Sequence, residues 1–406
     1  MNQDQFKADP DSDVLIIDTK KEENRFSRFE LIRWWDQKRL QNANILVIGA
    51  GALGNEIIKN LALTGIGNIL LVDFDQIEPS NLSRSILFRE SDRGRYKADV
   101  AAERAREIFP DINIRSLSVN VVTDLGIGAF FWADVILGGL DNREARLAIN
   151  QNSLRCGKTW IDGAIEGLSG IARVFGPDGP CYECTMSEVD WKVLNARKSC
   201  TLLTREEMMS GKTPTTPTIA SLIAAVQCQE AIKLLHGLEV ITGRGFFFEG
   251  LSFYQDIITY KRKVECFSHE TYKPVVELDA EARKLTLGEA LRIIHKDLGE
   301  NAVMELRHEV LTGFSCSDCS VDVEYHSSLG RVSEADAVCP KCGRQRFPIM
   351  SHQFDDSAEW QDMTLSKLGI PDFDVFIGSD GERQIYYLLN GDRERVLGPL
   401  TNKVKP

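Results

Sequence analysis

The chain has no apolar run of the roughly 20 residues that a membrane-crossing helix needs, so no membrane span is expected from the sequence. Its start, MNQDQFKADPDSD, is acidic and polar and lacks the positive residues and apolar core of a secretory signal. Both absences point to a cytoplasmic protein. No basic stripe is present either. Lys and Arg number 48 against 60 Asp and Glu, a net charge of -12, which excludes an electrostatic surface for nucleic acid or anionic lipid and leaves protein or small-molecule partners. Internal repeats and low-complexity tracts are also missing, which excludes solenoid and linker-like architectures.

What is present suits a globular protein. Hydrophobic residues make up 43% of 406 residues, enough chain for one large core domain and at least one appended module. Residues 1–22 read as a loose tail. RFSRFELIRWWDQKRLQNA follows, with helical apolar spacing at Phe29, Ile32, Trp35 and Leu40. From Asn44 the pattern alternates: NILVIG, NILLVDFD, INIRSLSV, DVILGGL and TWIDGAI read as strands, with helical runs near 54–64, 97–108 and 143–156. This predicts an α/β fold, a mostly parallel Rossmann-like sheet covered by helices on both faces.

The segment 185–217 breaks the alternation. It is polar and Pro/Thr-rich toward its end, and it reads as an irregular crossover loop with one short helix, of the length that is usually functional. TIASLIAAVQCQEAIKLLHG then reads as a helix stopped by Gly237. Residues 23–270 are expected to form the core domain. Residues 271–406 read as a smaller C-terminal region, opened by the charged stretch DAEARKLTLGEALRIIHKDLGE and ending in a hairpin with its turn at Ser379, Asp380 and Gly381.

ILVIGAGALGNEI carries the first functional signal. A strand runs into Gly49, Gly51 and Gly54 of a G-x-G-x-x-G turn and then into a helix, which presents backbone N–H groups to a phosphate. Asp73 closes the next strand about 20 residues on, where an acid holds a ribose hydroxyl. Nicotinamide dinucleotide and ATP both have that ribose, so these residues leave the choice open. Downstream stand Asn81, Arg84 and Lys97, polar and cationic groups suited to a triphosphate rather than a redox ring.

Together with RFSR upstream and LDN at 140–142, the stretch IGAGALGNEIIKNLALTGIGNILLVDFDQIEPSNLSR resembles the ubiquitin-activating and ThiF-type adenylating enzymes, from about Arg25 to about Tyr260. The resemblance implies ATP. It places nucleotide contacts at Gly49, Gly51, Gly54, Asp73, Asp75, Asn81, Arg84, Lys97, Asp141 and Asn142, with Asp73 on the ribose and Asn81, Arg84 and Lys97 on the phosphates. It also puts Asp141 on Mg²⁺ facing the α-phosphate. The Arg in the position of Arg28 reaches a partner's ATP in such enzymes, so a homodimer is implied. The chemistry is sound: a carboxylate is a poor electrophile, and attack on the α-phosphate makes an acyl-adenylate whose AMP leaves easily once charge is offset.

Ten cysteines in such a chain read as metal ligands or nucleophiles rather than disulfides. Cys316-x-x-Cys319 and Cys339-x-x-Cys342 are two knuckles of a zinc ribbon, spanning about 312–346. Cys181-x-x-Cys184 and Cys266-x-x-His269 each have the spacing of half a site, and the resemblance implies that they meet as a second structural zinc site with Cys₃His ligands. Cys156 and Cys228 have apolar neighbours and read as core. Cys200, in ARKSCTLLT after Arg197 and Lys198, has nearby cations that favour a thiolate. ARKSCTLLT also resembles the catalytic-cysteine segment of ubiquitin-activating enzymes.

The expectation is therefore ATP-dependent activation of a ubiquitin-like protein with a Gly-ending tail. Arg84 and Asp141 would serve the adenylation together with Arg28, and a thioester would form on Cys200 before transfer to a cysteine of a conjugating enzyme. The compact single-chain arrangement reads as bacterial. Two alternatives stand beside it: adenylation of a sulfur carrier without conjugation, and a non-catalytic scaffold subunit of a heterodimeric activating enzyme.

Overall fold

The structure, a computed structural model, describes residues 23–188, 190–191, 214–327, 332 and 335–401. The tail 1–22, most of the crossover loop and Cys200 lie outside the described residues.

An eight-stranded sheet organises the N-terminal part. Strands β1 (Asn44–Ile48), β2 (Asn68–Val72), β3 (Asn113–Leu117), β4 (Val135–Gly139) and β5 (Thr159–Glu166) are parallel, in the order β3-β2-β1-β4-β5. Three antiparallel strands, β6 (Ser169–Phe175), β7 (Arg244–Glu249) and β8 (Tyr254–Thr259), extend the sheet beyond β5. The strand order reverses between β1 and β4, with β2 and β3 added on one side of β1 and β4 and β5 on the other, and a crevice opens at such a switch point at the carboxyl ends of the strands.

Strand β1 is buried along its whole length because both of its faces are covered. Ile45 and Val47 enter one core, packed by helices α2 (Ala52–Thr64), α3 (Lys97–Ile108) and the long helix 217–235; Leu46 and Ile48 enter the other. The second core is roofed by α4 (Gly128–Trp132), α5 (Arg143–Arg155) and residues from the C-terminal region, including Phe373, Val375, Leu388, Val396 and Leu400. Helix α4 is only five residues long, and the C-terminal region supplies the apolar cover that so short a crossover helix cannot.

The sequence expectations for two segments are corrected. The stretch 25–43 is not one helix: a 3₁₀ turn, Phe29–Leu31, is followed by a separate helix α1 (Gln37–Asn42). Asp36 starts it afresh by accepting the Lys38 N–H, while Phe29 and Trp35 fold onto each other with ring centroids 4.6 Å apart. The helix Pro217–Leu235, α7 here after the short α6 (Tyr182–Thr185), is long and apolar enough by length and composition to cross a membrane, contrary to expectation. It lies in the core, where the buried Gln227 amide donates to the carbonyls of Gly138 and Ile161 at 2.8 and 3.1 Å.

The C-terminal region has its own six-stranded sheet. Strands β10 (Val303–Cys316), β11 (Val321–Ser327), β13 (Val375–Ser379), β14 (Gln384–Leu389) and β9 (Val275–Leu278) lie in the order β11-β10-β13-β14-β9, with β12 (Phe347–Phe354) also paired to β10. Helix α8 (Leu287–Leu298) buries Leu287, Leu291, Ile294 and Leu298 on one stripe, and Thr286 and Glu289 form its capping box. The expected terminal hairpin is β13–β14, and helix α9 (Arg393–Leu397) follows it.

The two parts are joined by buried polar contacts. Asp374 accepts the Ile127 N–H at 2.9 Å and pairs with Arg307, whose Nη1 reaches Asn152 on α5 at 3.0 Å. Gly128 donates its N–H to the Phe373 carbonyl at 2.9 Å, and a Cβ on Gly128 would run into the Phe373 ring.

Candidate nucleotide site and metal-ligand clusters

The three glycines of the β1–α2 turn have different tasks. Gly49 has φ +98°, and a Cβ there would strike the Gly139 carbonyl; one on Gly54 would strike the Gly49 carbonyl. Around Gly51, by contrast, a Cβ would meet nothing within 4 Å. Close packing thus explains the outer two, while the middle one faces open space at the amino end of α2, where an anion meets unpaired N–H groups.

Asp73 follows β2 and is tied back to this turn. One oxygen accepts the Ala50 N–H at 2.6 Å and the other the Asp75 N–H at 2.8 Å. Burial pushes its carboxyl up to about 6, against the pull of Lys97. Lys97, at the start of α3, places Nζ 2.7 Å from Asp75. Burial disfavours the Lys97 charge, but Asp73, Asp75 and Asp141 outweigh it and hold the ammonium above its ordinary value. The structure therefore gathers Asp73, Asp75, Lys97 and Asp141 into one electrostatic group beside the glycine turn.

Asn81 and Arg84 sit on the segment after β2, where Asn81 accepts the Glu78 N–H at 2.9 Å and Arg84 donates to the Ser80 carbonyl at 2.6 Å. Asp141 is exposed just past β4, and Asn142 caps α5 by accepting the Ala145 N–H at 2.8 Å. Beyond them Arg143, Arg146, Arg173, Tyr182 and Thr185 line a cavity of about 220 Å³.

Arg28 is not part of this group. It is 84% exposed, with Glu23 3.6 Å away, and its neighbour Phe26 packs against Gly65 at the far end of α2. The 13 residues of α2 put that end roughly 20 Å from Gly51.

Asn55 was missed from the sequence. Fully buried, it donates to the carbonyls of Ala50 and Gly51 at 2.7 and 3.0 Å and accepts the Leu87 N–H at 2.9 Å, joining the glycine turn to the segment that carries Asn81 and Arg84. A polar residue among the apolar positions of GNEI was its only signal.

The two cysteine clusters assemble from distant segments. Cys181, Cys184, Cys266 and His269 lie together, with Cys181 Sγ 3.7 Å from Cys184 Sγ and 3.5 Å from Cys266 Sγ, and Cys184 Sγ 3.4 Å from His269 Nε2. Ligand atoms about 2.3 Å from a tetrahedral zinc stand roughly 3.8 Å apart, so the set fits that ion. Asn150 accepts the Tyr182 N–H at 2.8 Å and pins this cluster to α5. Cys316, Cys319, Cys339 and Cys342 form the second cluster, with Cys316 and Cys342 sulfurs 3.6 Å apart. Backbone N–H groups of Cys342 and Lys341 pull the Cys339 thiol below its ordinary value, toward the thiolate a metal requires. Cys228 is buried, as its neighbours led us to expect, and Cys156 is half-buried with its thiol pushed up by burial.

Comparison with known proteins agrees with this geometry. Residues 24–267, more than half of the chain, match the model of the ThiF family. The chain belongs to the ThiF family. A probable adenylyltransferase/sulfurtransferase MoeZ of Mycobacterium tuberculosis is 33% identical over 257 residues, covering 60% of this chain and 62% of MoeZ. The chain thus spans about three-fifths of that relative's length. The SAMP-activating enzyme E1 of Haloferax volcanii is 29% identical over 57% of this chain and 81% of its own. The NEDD8-activating enzyme E1 catalytic subunit of Arabidopsis thaliana is 40% identical over 35% of this chain and 34% of its own. Escherichia coli MccB, solved with ATP, shares the fold with a TM-score of 0.52 at 22% identity, covering 62% of this chain and 75% of its own.

Proposed function

We propose that this ThiF-family member activates a small ubiquitin-fold protein by adenylating its C-terminal carboxylate. The carboxylate oxygen bonds to the α-phosphorus of ATP and pyrophosphate leaves. The Cys200 thiolate then attacks the acyl carbonyl, AMP leaves, and the thioester passes to a cysteine of a conjugating enzyme. The observation that carries the reading is the grouping of Asp73, Asp75, Lys97 and Asp141 at the glycine turn.

Each residue then has a physical role. Asp73 accepts the ribose hydroxyls, Gly51 lets the phosphates approach α2, and Asn81, Arg84 and Lys97 bind phosphate oxygens. The exposed Asp141 carboxylate is the hard oxygen donor that suits Mg²⁺, which would offset charge on the phosphates when bound. The cavity lined by Arg143, Arg146 and Arg173, with Asp190 paired to Arg143, offers room for the carrier's terminal residues.

Arg28 supports a homodimeric form of the reading. Its neighbour Phe26 packs at the end of α2 remote from the glycine turn, a placement that suits a partner's nucleotide better than its own, and β8, exposed along all six residues at the sheet edge, offers a surface for a second copy.

A second reading, adenylation of a sulfur carrier without conjugation, is favoured by the names of relatives such as MoeZ and the sulfur carrier protein adenylyltransferase of Thermus thermophilus, which is 29% identical over 57% of this chain. ATP–pyrophosphate exchange with a panel of Gly-ending ubiquitin-fold proteins tests adenylation itself. Exchange that depends on one carrier is expected, and none with any carrier would reject both readings.

A further inference from the structure

The carboxylate of Asp162, on β5, is completely buried and shared by two guanidinium groups. Arg146 of α5 donates from Nε to Oδ1 at 3.1 Å, and Arg173 of β6 donates from Nε to Oδ2 at 3.0 Å. Both arginine side chains are themselves mostly hidden, 11% and 13% exposed. Such an arrangement is rigid, because removing any one partner strands a buried charge.

Arg146 has further contacts. Its Nη2 donates to the Leu140 carbonyl at 2.5 Å and to the Gly163 carbonyl at 3.1 Å. Leu140 stands immediately before Asp141, past the point where the β4–β5 ladder ends at Gly139 and Gly163. On the other side of Asp141, Asn142 is fixed as the cap of α5. The peptide that aims Asp141 is therefore held before it by a side chain and after it by a helix cap.

We propose that Arg146, locked by Asp162, is the positioning residue for Asp141: by gripping the Leu140 carbonyl it sets the direction in which the Asp141 carboxylate leaves β4. This rests on reading Asp141 as the Mg²⁺-binding carboxylate of the nucleotide site. Only a planar fork supplies one N–H to the carboxylate and two contacts to carbonyls in this geometry, so lysine cannot replace it.

The test is calorimetry of a non-hydrolysable ATP analogue binding to the full chain, with and without Mg²⁺, which needs no carrier protein. Arg146→Lys is expected to lose at least tenfold of the Mg²⁺-dependent gain in affinity, to keep its metal-free affinity, and to recover in excess Mg²⁺. An undiminished gain, or an equal loss with and without the metal, overturns the proposal. Asp141→Ala separates the two levels. If it retains the gain, the metal reading fails and the proposal with it; if it loses the gain while Arg146→Lys keeps it, only the positioning role fails. Should Arg146→Lys not fold, Asp162→Asn, which leaves the fork in place but unlocks it, is read by the same criteria.

Discussion

The Lys97 ammonium lies 2.7 Å from the Asp75 carboxylate and is the principal charge opposing the desolvation of Asp73. Folding therefore places a carboxyl near 6 beside a cation at the glycine turn, and the pH response of nucleotide binding follows from it.

Because Asp73 is raised in the folded protein, the folded chain keeps this proton to higher pH than the unfolded chain does. The stability from the neutral form is present at low pH and lost as pH climbs from the ordinary carboxylate range through about 6. An ionised carboxylate is the stronger acceptor for the ribose hydroxyls, so ATP affinity should fall as pH drops below about 6, and Asp73→Asn should bind weakly with that pH dependence flattened. Calorimetry between about pH 5 and 7, on the order of one pH unit either side of the transition, measures both. An unchanged profile in Asp73→Asn would remove Asp73 from the nucleotide.

Lys97→Met removes the opposing charge. The acid limb should move to higher pH, and ATP affinity should fall by roughly tenfold or more, the scale of a lost charge-assisted contact. A limb that stays in place would show that Lys97 does not act on Asp73.

The glycines separate packing from binding. Gly54→Ala should destabilise the fold, because its Cβ would meet the Gly49 carbonyl, whereas Gly51→Ala should melt within about 2 °C of the parent yet bind ATP at least about tenfold more weakly. Equal melting losses in both variants would contradict this division.

Arg307 and Asp374, 3% and 2% exposed, pair within the C-terminal region and together reach across the junction, to Asn152 and to the Ile127 N–H. Asp374→Asn should cost about 3 to 5 kcal/mol by stranding the guanidinium. The intact chain should melt in one transition covering residues on both sides of the junction. Two separate transitions by calorimetry would show that the shared core does not couple them.

Much of this was legible in the sequence, for reasons that particular residues show. NILVI and NILLV are apolar throughout because parallel strands are buried on both faces, so the sheet and its glycine turn could be read directly. The cysteine knuckles were legible because ligand spacing is local, although the pairing of Cys181 and Cys184 with Cys266 and His269 needed a family resemblance. Less could be read where the cause is tertiary. Asp36 as a helix cap, the burial of Pro217–Leu235 and the insertion of Arg307 beside Asn152 depend on what the chain meets after folding. Asn55 and Arg146 belong to the same class, since their value lies in backbone carbonyls that they reach and that no local pattern announces.

Removal of metal offers an independent check on the clusters. Two zinc ions per chain should be released on denaturation in chelator, and Cys266→Ser should lower the count to one while leaving the cluster of Cys316, Cys319, Cys339 and Cys342 filled. A count of one in the parent chain would mean that only one cluster binds.

The most direct measurement is a non-reducing gel of the chain with ATP, Mg²⁺ and a carrier that supports exchange, beside Cys200→Ala. The account predicts a thiol-sensitive adduct in the parent and none in the variant, with pyrophosphate exchange retained by both. Exchange without any adduct would contradict the thioester step and leave sulfur-carrier adenylation, while loss of exchange in Cys200→Ala would contradict the division between adenylation and Cys200.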